Sequence, residues 1–238
     1  LGWRNLPLKS RLEEAIHLPV FVENEVNLIA LGESWQGVGR GLRNLVCISL
    51  GAGIGAGIIL DGQLYRGSHD AAGEVGYIIP NESCLGRVYD EYGCLESLAG
   101  SMGIVQRALT HLANGAPSVL RELNGADSPD LTAEMVLSAA REGDALARTM
   151  LNETLDYLSI AVANLVCILD PDCIVISGDL AEFGDLFIEP IQHRLRGALP
   201  HVPDIVLSEL RTDAAVLGAL AIALYKTGNG VLVRKTQA

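Results

Sequence analysis

A run of alternating glycines, Gly51-Ala-Gly-Ile-Gly-Ala-Gly57, joins two apolar segments of this chain. The segment before it, NLVCISL at 44–50, is rich in β-branched residues and predicts a buried central strand. The segment after it, GIILDGQLY at 57–65, contains Asp61-Gly62, a pair that is typical of hairpin turns. The sequence therefore predicts a central strand that is followed by two antiparallel strands.

Helical and strand-like patterns alternate over most of the remaining chain. Two apolar runs, CIVISG at 173–178 and DIVLSEL at 204–210, predict buried parallel strands, and a short strand is also predicted at 20–22. Helices are predicted at 8–17, 25–35, 97–114, 132–142, 145–168, 180–198 and 213–227, with Thr132 as an N-cap residue. Alternation of this kind indicates an α/β fold.

Composition and charge exclude several classes of protein. The chain has 238 residues, 49% of them hydrophobic, which is enough for one large domain or for two lobes around a cleft. Its formal net charge is −12, and no lysine- or arginine-rich stretch could neutralise a line of phosphates, so this part is not expected to hold DNA by itself. No apolar run reaches the ~18 to 20 residues of a membrane span, and we expect a soluble protein.

Cysteine usage bears on the cellular compartment. The five cysteines are an odd number, and Cys47, Cys167 and Cys173 lie in strongly apolar runs, where thiols usually act as small buried hydrophobes. A reducing environment fits this usage best. We therefore expect three buried thiols and a cytoplasmic protein.

Two glycine turns are candidates for binding an anion. The glycines of the 51–57 run permit a tight turn and leave backbone amides open to a phosphate, although a purely steric role for the turn explains them equally well. Gly178 follows the strand predicted at 173–178 and precedes a helix, a position that attracts nucleotides or anions. Ordinary strand-to-helix turns look the same, so this second signal is weak alone.

Acidic and amide side chains at four positions are candidates for recognising sugar hydroxyls. Asn24 and Glu25, in the E-N-E motif at 23–25, offer an amide and a carboxylate at a helix start. Glu74 and Glu96 lie in the glycine-bracketed loops A-G-E-V-G-Y and G-C-L-E, and ionised carboxylates accept hydrogen bonds strongly. The alternatives stay open, because Glu25 could serve the helix dipole and the other two carboxylates could simply be solvated.

Together and in this order, these motifs resemble the ROK family of repressors and sugar kinases. The stretches that carry the resemblance are PVFVENEVN, LGE, ISLGAGIGAGIILDGQLYRG, AGEVG, GCLE and IVISG, and it extends from about residue 3 to residue 225. It is greatest to the C-terminal effector domain of xylose-repressor and N-acetylglucosamine-repressor type regulators. The resemblance implies an α/β protein with the actin-like ATPase (ribonuclease H-like) sugar-kinase fold.

The resemblance also implies two lobes. Residues 1–42 would be the remainder of an N-terminal small lobe, and residues 43–238 the large C-terminal lobe, with the helix at 213–227 returning toward the small lobe. The family's first phosphate loop, of the aspartate-glycine-threonine type, does not occur in this sequence, and neither does the winged helix-turn-helix of its regulators. We therefore expect the chain to be part of a longer protein.

The family's functional residues can be carried over position by position. Those that match its sugar-binding residues are Asn24, Glu25, Glu74, Tyr77 and Glu96. Those that match its second phosphate loop and its adenosine motif are Gly51, Ala52, Gly53, Gly55 and Gly178. In the kinases, the position of Glu25 is usually an aspartate that acts as general base, and the longer side chain moves the base by more than about 1 Å, which can cost ~100-fold in rate.

The family's zinc site is predicted to be lost. Tyr77 replaces a histidine that serves both sugar and zinc, and a phenol is a poor zinc ligand. In the family's zinc loop, C-x-C-G-x-x-G-C, Arg87 and Tyr89 stand where two thiolates belong, so that only Cys94 remains, with Cys84 out of register. One or two thiols cannot close a structural zinc site.

These features predict the sugar-sensing domain of a ROK-type transcriptional regulator. It would bind a sugar or phosphosugar between the lobes, and it would contact DNA only through an N-terminal domain beyond this sequence. The alternative is an ATP-dependent sugar kinase of the glucokinase or fructokinase type, with Glu25 as its catalytic base. We expect no cofactor in the first case and ATP with Mg²⁺ in the second. A homodimer or tetramer is expected from the resemblance, and no membrane partner.

Overall fold

Five strands form one mixed sheet. The computed structural model describes residues 6–89, 92–123 and 130–228. Within these ranges the strands are β1 (Leu45–Leu50), β2 (Ile54–Leu60), β3 (Gln63–Leu64), β4 (Cys173–Ser177) and β5 (Asp204–Leu207). Their order across the sheet is β3-β2-β1-β4-β5. β1 pairs antiparallel with β2 and parallel with β4, while β5 extends the parallel half. The predicted central strand with two following antiparallel strands is confirmed.

The β2–β3 hairpin turns at the pair of residues that the sequence predicted. Asp61 has a φ of 51° and Gly62 a φ of 76°, so both adopt the left-handed conformation. This conformation matches the twist of the flanking strands in a two-residue hairpin loop. The Asp61 carboxylate also accepts a hydrogen bond from the side chain of Arg43 at 2.7 Å, which holds the turn against the start of β1.

Helices cover both faces of the sheet. In the described ranges they are α1 (Leu8–Ile16), α2 (Glu25–Gln36), α3 (Cys94–Ala99), α4 (Ser101–Ala113), α5 (Leu120–Leu123), α6 (Ala133–Glu142), α7 (Ala145–Leu169), α8 (Gly184–Leu195) and α9 (Ala214–Lys226). The predicted N-cap at Thr132 is confirmed, because its hydroxyl accepts from the backbone N–H of Met135 at 3.3 Å. Asp144 caps α7 by accepting from the N–H of Ala147 at 2.9 Å.

Two predicted helices are interrupted. The helix predicted at 97–114 is divided at Gly100, whose backbone is extended, and the N–H of Ser101 donates to the carbonyl oxygen of Gly51 at 2.9 Å. The contact with the glycine run therefore sets where α4 begins. The helix predicted at 180–198 starts instead as a 3-10 turn at Asp179–Phe183, and regular α-helix begins only at Gly184.

The strand predicted at 20–22 is wrong. In the part of the chain that the structure describes, these residues pair with no strand. The backbone N–H of Val20 donates to the side-chain carboxylate of Glu13 at 3.1 Å, and the side chains of Phe21 and Val22 are exposed. A short β-branched run forms a strand only where a neighbouring strand takes its backbone groups, and here a side chain takes one of them.

Side chains along the strands point alternately into two apolar cores, one on each face of the sheet. Val46 and Ile48 of β1 face the larger core, which α3 to α8 complete. Leu45 and Cys47 face the smaller core, to which α2 and α9 contribute Ile29, Ala30 and Ala214. Because side chains of a strand point to opposite faces in turn, the continuous apolar run of β1 is buried on both sides, as predicted.

The burial and the pairing of the cysteines differ in part from what the sequence predicted. Cys47 and Cys173 are buried, and burial raises the pKa of the Cys173 thiol to about 11. Cys167 is exposed, so the prediction that it is buried is wrong. An apolar run on a helix does not fix which residues face the core, and Cys167 lies on the outer side of α7. Cys84 and Cys94 form a disulfide, with their Cα atoms 6.4 Å apart.

Helix α7 is long and apolar enough to cross a membrane by length and composition alone. Half of its most apolar stretch is buried inside the protein. Leu155, Leu158 and Val162 are among its buried side chains, and they pack in the larger core. The apolar character of α7 is therefore explained by packing.

Candidate functional site

The ends of β1 and β4 and the start of β2 meet at one edge of the sheet. β1 and β4 are parallel neighbours, and β2 starts directly after the glycine run that ends β1. Gly178, which follows β4, has a φ of 88°. A Cβ atom there would lie 2.7 Å from the backbone nitrogen of Leu50 and 2.8 Å from Oγ of Ser49. Only glycine permits residue 178 to lie this close to the end of β1. The turn that was predicted as the adenosine motif therefore lies against the glycine run.

The glycine run forms a tight loop with free backbone amides. The N–H of Gly51 donates to the carbonyl oxygen of Gly53 at 3.1 Å. Ala52 and Gly53 are exposed, and in residues 6–89, 92–123 and 130–228 their N–H groups find no acceptor. Two free amides in a loop of this kind suit an anion such as a phosphate. The carboxylate of Asp179 lies next to the loop, since a Cβ on Gly51 would be 3.2 Å from its Oδ2.

Glu96 ties α3 to the glycine loop. Its Oε2 accepts a hydrogen bond from the backbone N–H of Ile54 at 3.1 Å. The same oxygen would lie 3.6 Å from a Cβ atom on Gly53 and 2.6 Å from one on Gly76. Gly76 is therefore required for the close approach of the Glu96 carboxylate, which stands where the glycine loop, the 74–77 turn and α3 meet.

Glu74 and Tyr77 lie on the 3-10 turn at Val75–Tyr77. The carbonyl oxygen of Glu74 accepts from the N–H of Tyr77 at 3.2 Å, and the carbonyl oxygen of Gly73 accepts from the N–H of Ala56 at 2.7 Å, which fastens the turn to β2. The side chain of Glu74 is exposed and does not cap the turn. Tyr77 is 59% exposed. Both side chains can thus reach a ligand without breaking a protein contact.

The start of α2 carries Asn24 and Glu25. Oδ1 of Asn24 accepts from the N–H of Val26 at 2.9 Å, so Asn24 is the N-cap residue and its side-chain NH₂ stays available. Glu25 is exposed in the first turn. A Cβ atom on Gly55 would lie 3.2 Å from Cγ2 of Val26. The glycines of β2 therefore let α2 pack closely with its first turn beside the start of β2.

An ion pair that sequence reasoning missed connects two of these segments. Arg66 donates to Oε2 of Glu23 from Nε at 2.8 Å and from Nη2 at 2.6 Å. Oε1 of Glu23 accepts from Nδ2 of Asn27 at 2.9 Å and from the N–H of Asn24 at 3.0 Å. Burial alone would raise the pKa of Glu23, but these hydrogen bonds and the charge of Arg66 outweigh it and lower the pKa. The residues lie 43 positions apart, and no spacing rule links them.

The structure connects the predicted site residues to different degrees. Contacts at one sheet edge join the glycine-loop residues, Gly178 and Glu96. The packing of α2 on β2 brings Val26, the residue after Glu25, against Gly55. Glu74 and Tyr77 lie on a turn that a backbone hydrogen bond holds against β2, and their side chains are solvent-exposed.

Two cavities lie outside this group of residues. One of about 350 Å³ is lined by Leu109, Leu112, Ala113 and Arg121. The other, of about 220 Å³, is lined by Lys9, Val20, Phe21, Val22, Glu23, Arg66, Ile222 and Lys226. The second borders the Glu23–Arg66 pair, so it lies near the start of α2 without including the predicted sugar-binding carboxylates.

The cysteines of the loop at 84–94 do not have the arrangement of a zinc site. Among the described residues, no group of three or more histidine, cysteine, aspartate or glutamate side chains could hold a metal ion. Cys84 was expected to be out of register, but it meets Cys94 in a disulfide. A comparison of fixed spacings does not detect this pairing. A thiol in a disulfide is not a zinc ligand.

The comparisons with known proteins place this geometry in a family. The sequence profile of the ROK family matches residues 1–226. The chain belongs to the ROK family. One ROK relative is a glucokinase from Halalkalibacterium halodurans, 40% identical over 224 residues, which cover 92% of this chain and 67% of the glucokinase. Another is a xylose repressor from Caldicellulosiruptor bescii, 32% identical over 228 residues, which cover 94% of this chain and 57% of the repressor.

The fold is that of ROK sugar kinases. A ROK family glucokinase from Streptomyces griseus, solved in complex with glucose and AMPPNP, matches with a TM-score of 0.76 at 29% identity. The match covers 92% of this chain and 72% of that glucokinase. The predicted α/β, actin-like fold is thereby confirmed. The ROK relatives include both kinases and repressors, so family membership indicates a carbohydrate-related role and does not by itself separate the two classes.

Proposed function

We propose that this ROK chain is the sugar-sensing domain of a transcriptional regulator and binds a sugar or phosphosugar at the sheet edge described above. An N-terminal domain beyond this sequence would contact the DNA. The side chains proposed to bind the sugar are Asn24, Glu25, Glu74, Tyr77 and Glu96. They offer one free amide NH₂, three carboxylates and one phenol, which suits a polyol because each hydroxyl both donates and accepts.

The observation that carries the proposal is the surroundings of Glu96. Its carboxylate accepts a hydrogen bond from the N–H of Ile54 and lies close to both Gly53 and Gly76. Oε2 is occupied by this hydrogen bond, and Oε1 has no partner among the described residues. A carboxylate that is fixed through one oxygen and has the other oxygen free is a preorganised acceptor for sugar hydroxyls.

The identity of residue 25 favours a regulator over a kinase. Family kinases usually have an aspartate there as general base, and glutamate moves the carboxylate away by one methylene group. Misplacement of about 1 Å can lower a rate ~100-fold but still permits hydrogen bonding, because a binding contact tolerates a shift that proton transfer does not. Glu25 is exposed and free to bind, which supports a binding role.

Signalling requires two arrangements of the protein with different affinities for the sugar. We propose that residues 1–42 belong to a small lobe and residues 43–238 to the large lobe, with α9 returning toward the small lobe. α2 packs along α9 and on β2, and Gly32 and Gly218 allow the two helices to approach closely. These contacts make α2 and α9 the connection through which the small lobe would move against the sheet.

A sugar kinase is the second candidate, and the 40% identity to a glucokinase favours it. The free N–H groups of Ala52 and Gly53 fit a nucleotide phosphate, and Asp179 beside Gly51 fits a Mg²⁺ ion that accompanies it. When bound, ATP would supply the phosphoryl group. In this candidate Glu25 is the catalytic base. Gly51, Gly55 and Gly178 would let the backbone approach the bound nucleotide closely.

We further propose a cytoplasmic location, a homodimeric or tetrameric assembly and no structural zinc. The presence of Arg87 and Tyr89 where the family's zinc loop has two thiolates supports the last point, because one or two thiols cannot close a structural zinc site. Under the regulator proposal no cofactor is needed for sensing.

Two measurements on the full-length protein separate the candidates. Thermal unfolding is measured without nucleotide, with xylose, glucose, N-acetylglucosamine, xylose 5-phosphate and the 6-phosphates of the two hexoses. It is expected to show a raised melting temperature with at least one compound, since a ligand that binds only the native state stabilises it. A coupled assay for ADP with ATP, Mg²⁺ and the same unphosphorylated sugars is expected to show no sugar-dependent release. Robust turnover would establish the kinase, and no shift with any compound would contradict sugar binding.

A further inference from the structure

One ion pair, Glu23–Arg66, joins the start of α2 to the segment that leads into the 74–77 turn. We propose that Glu23 and Arg66 are positioning residues, which fix the start of α2 relative to the turn at 74–77 and so set the affinity for the sugar. The second half of this inference rests on the proposed function. The first half, that the pair fixes the two segments, does not depend on it.

The contacts of Glu23 involve both of its carboxylate oxygens. Arg66 contacts Oε2 through two nitrogens, and Oε1 accepts from the side chain of Asn27 and the backbone of Asn24. Asn27 lies one helical turn after Glu23, and Asn24 is the N-cap residue of α2. The Glu23 carboxylate therefore holds the first turn of α2 through these hydrogen bonds. Arg66 in turn fixes the position of the carboxylate.

Arg66 anchors the other segment. It follows β3, and its carbonyl oxygen accepts from the N–H of Ala72 at 3.0 Å, which closes the loop at 66–72. The next residue, Gly73, is fastened to Ala56 of β2 and leads directly into Glu74. Arg66 is thus linked through a short, closed stretch of backbone to the turn that presents Glu74 and Tyr77.

The environment of the pair makes it stronger than the surface pairs of this protein. The side chain of Glu23 is 13% exposed and that of Arg66 38%, whereas Arg43 and Asp61 are 72% and 79% exposed. Partly buried, two-point contacts between guanidinium and carboxylate are worth more than exposed ones, which contribute little. The Arg43–Asp61 pair, on the β2–β3 hairpin, joins no two site segments and provides a matched control.

The first test measures the positions of the segments without any ligand. Full-length wild type, Glu23→Gln, Arg66→Met and the control Arg43→Met are compared by hydrogen–deuterium exchange. We expect exchange to become about tenfold faster at the amides of residues 24–28 and also of residues 72–77 in both site variants, and to stay unchanged in the control. Faster exchange confined to the segment that carries the substitution, or none, would overturn the positioning role.

The second test measures affinity, by titration calorimetry with glucose and with xylose. We expect both variants to bind the sugar about tenfold more weakly than the wild type, and the double variant to be no weaker than the single ones, because either change breaks the same contact. Arg66→Lys, which keeps the charge and loses the second contact, is expected to lie in between. Unchanged affinity in the variants would overturn the role in binding. If the wild type bound neither these two sugars nor any other compound of the thermal-unfolding panel, the proposed function would fail, and the exchange data would still decide the positioning role.

Discussion

At the scale of single residues, Glu96 has a structural contact and a proposed ligand contact on different oxygens. Replacing it with alanine leaves the N–H of Ile54 without its acceptor, and we expect the free energy of unfolding to fall by about 1 to 3 kcal/mol. Glu96→Gln keeps an acceptor oxygen for Ile54 but removes the charge. We expect it to unfold like the wild type and to bind the sugar about tenfold more weakly, since charged hydrogen bonds are stronger than neutral ones.

Urea unfolding and calorimetric titration check the two parts of this prediction separately. Glu189→Ala, at an exposed position on α8, is the control and is expected to match the wild type in both measurements. Equal sugar affinity in Glu96→Gln and the wild type would show that the charge of Glu96 has no part in binding.

The protonation of Glu23 makes a second prediction at this scale. Its pKa is lowered in the folded protein, so its stabilising contribution is present above the pKa of the unfolded chain and is lost as the pH falls through the folded value. We expect Glu23→Gln to lower the free energy of unfolding by about 1 to 2 kcal/mol at pH 7. The difference should shrink once the pH drops below ~4, the ordinary range of a glutamate. Urea titrations at several pH values measure it, and a difference that is independent of pH would contradict the assignment.

At the scale of secondary-structure elements, the close crossing of α2 and α9 depends on glycine. A Cβ atom on Gly218 would collide with the backbone carbonyl oxygen of Leu28, and one on Gly32 with that of Ala214. Alanine is a better helix former by ~1 kcal/mol, yet we expect Gly218→Ala to destabilise the protein by about 1 to 3 kcal/mol, because the helices must separate.

The control for this prediction is Val216→Ala on the same helix, whose side chain is 61% exposed. It is expected to change the free energy of unfolding by less than about 0.5 kcal/mol. If Gly218→Ala stabilised the protein in chemical denaturation, helix propensity would outweigh packing and the close crossing would be refuted.

Elements with strong local signals could be predicted from the sequence, and long-range contacts could not. The apolar run of β1, the Asp61 turn and the Thr132 cap are each specified by neighbouring residues. The break before α4 is set by a hydrogen bond from Ser101 to Gly51, 50 positions earlier, which no local pattern contains.

The same distinction applies to the candidate site. Its glycines stand out because they alternate in one run, and Glu74 and Glu96 stand out because they lie in glycine-bracketed motifs. Glu23 and Arg66 were not singled out, since charged residues are common in loops and their pairing depends on the fold. The disulfide of Cys84 was missed for the same reason: it depends on how a loop folds back.

At the scale of the whole molecule, the account depends on distant segments meeting at one edge of the sheet. The start of α2, the glycine loop, the 74–77 turn and the start of α3 come from positions between 24 and 96 of the chain. This arrangement can sense a ligand because a sugar that touches several segments at once favours the one arrangement in which all of them reach it.

A crystal structure of the full-length protein with the sugar that gives the largest thermal shift tests this most directly. The account predicts electron density for the sugar at the sheet edge, with hydroxyl groups within hydrogen-bond distance of Glu96 and of at least two among Asn24, Glu25 and Glu74. Density for the sugar at another place, such as the cavity lined by Leu109 and Arg121, with those side chains free of ligand, would contradict it.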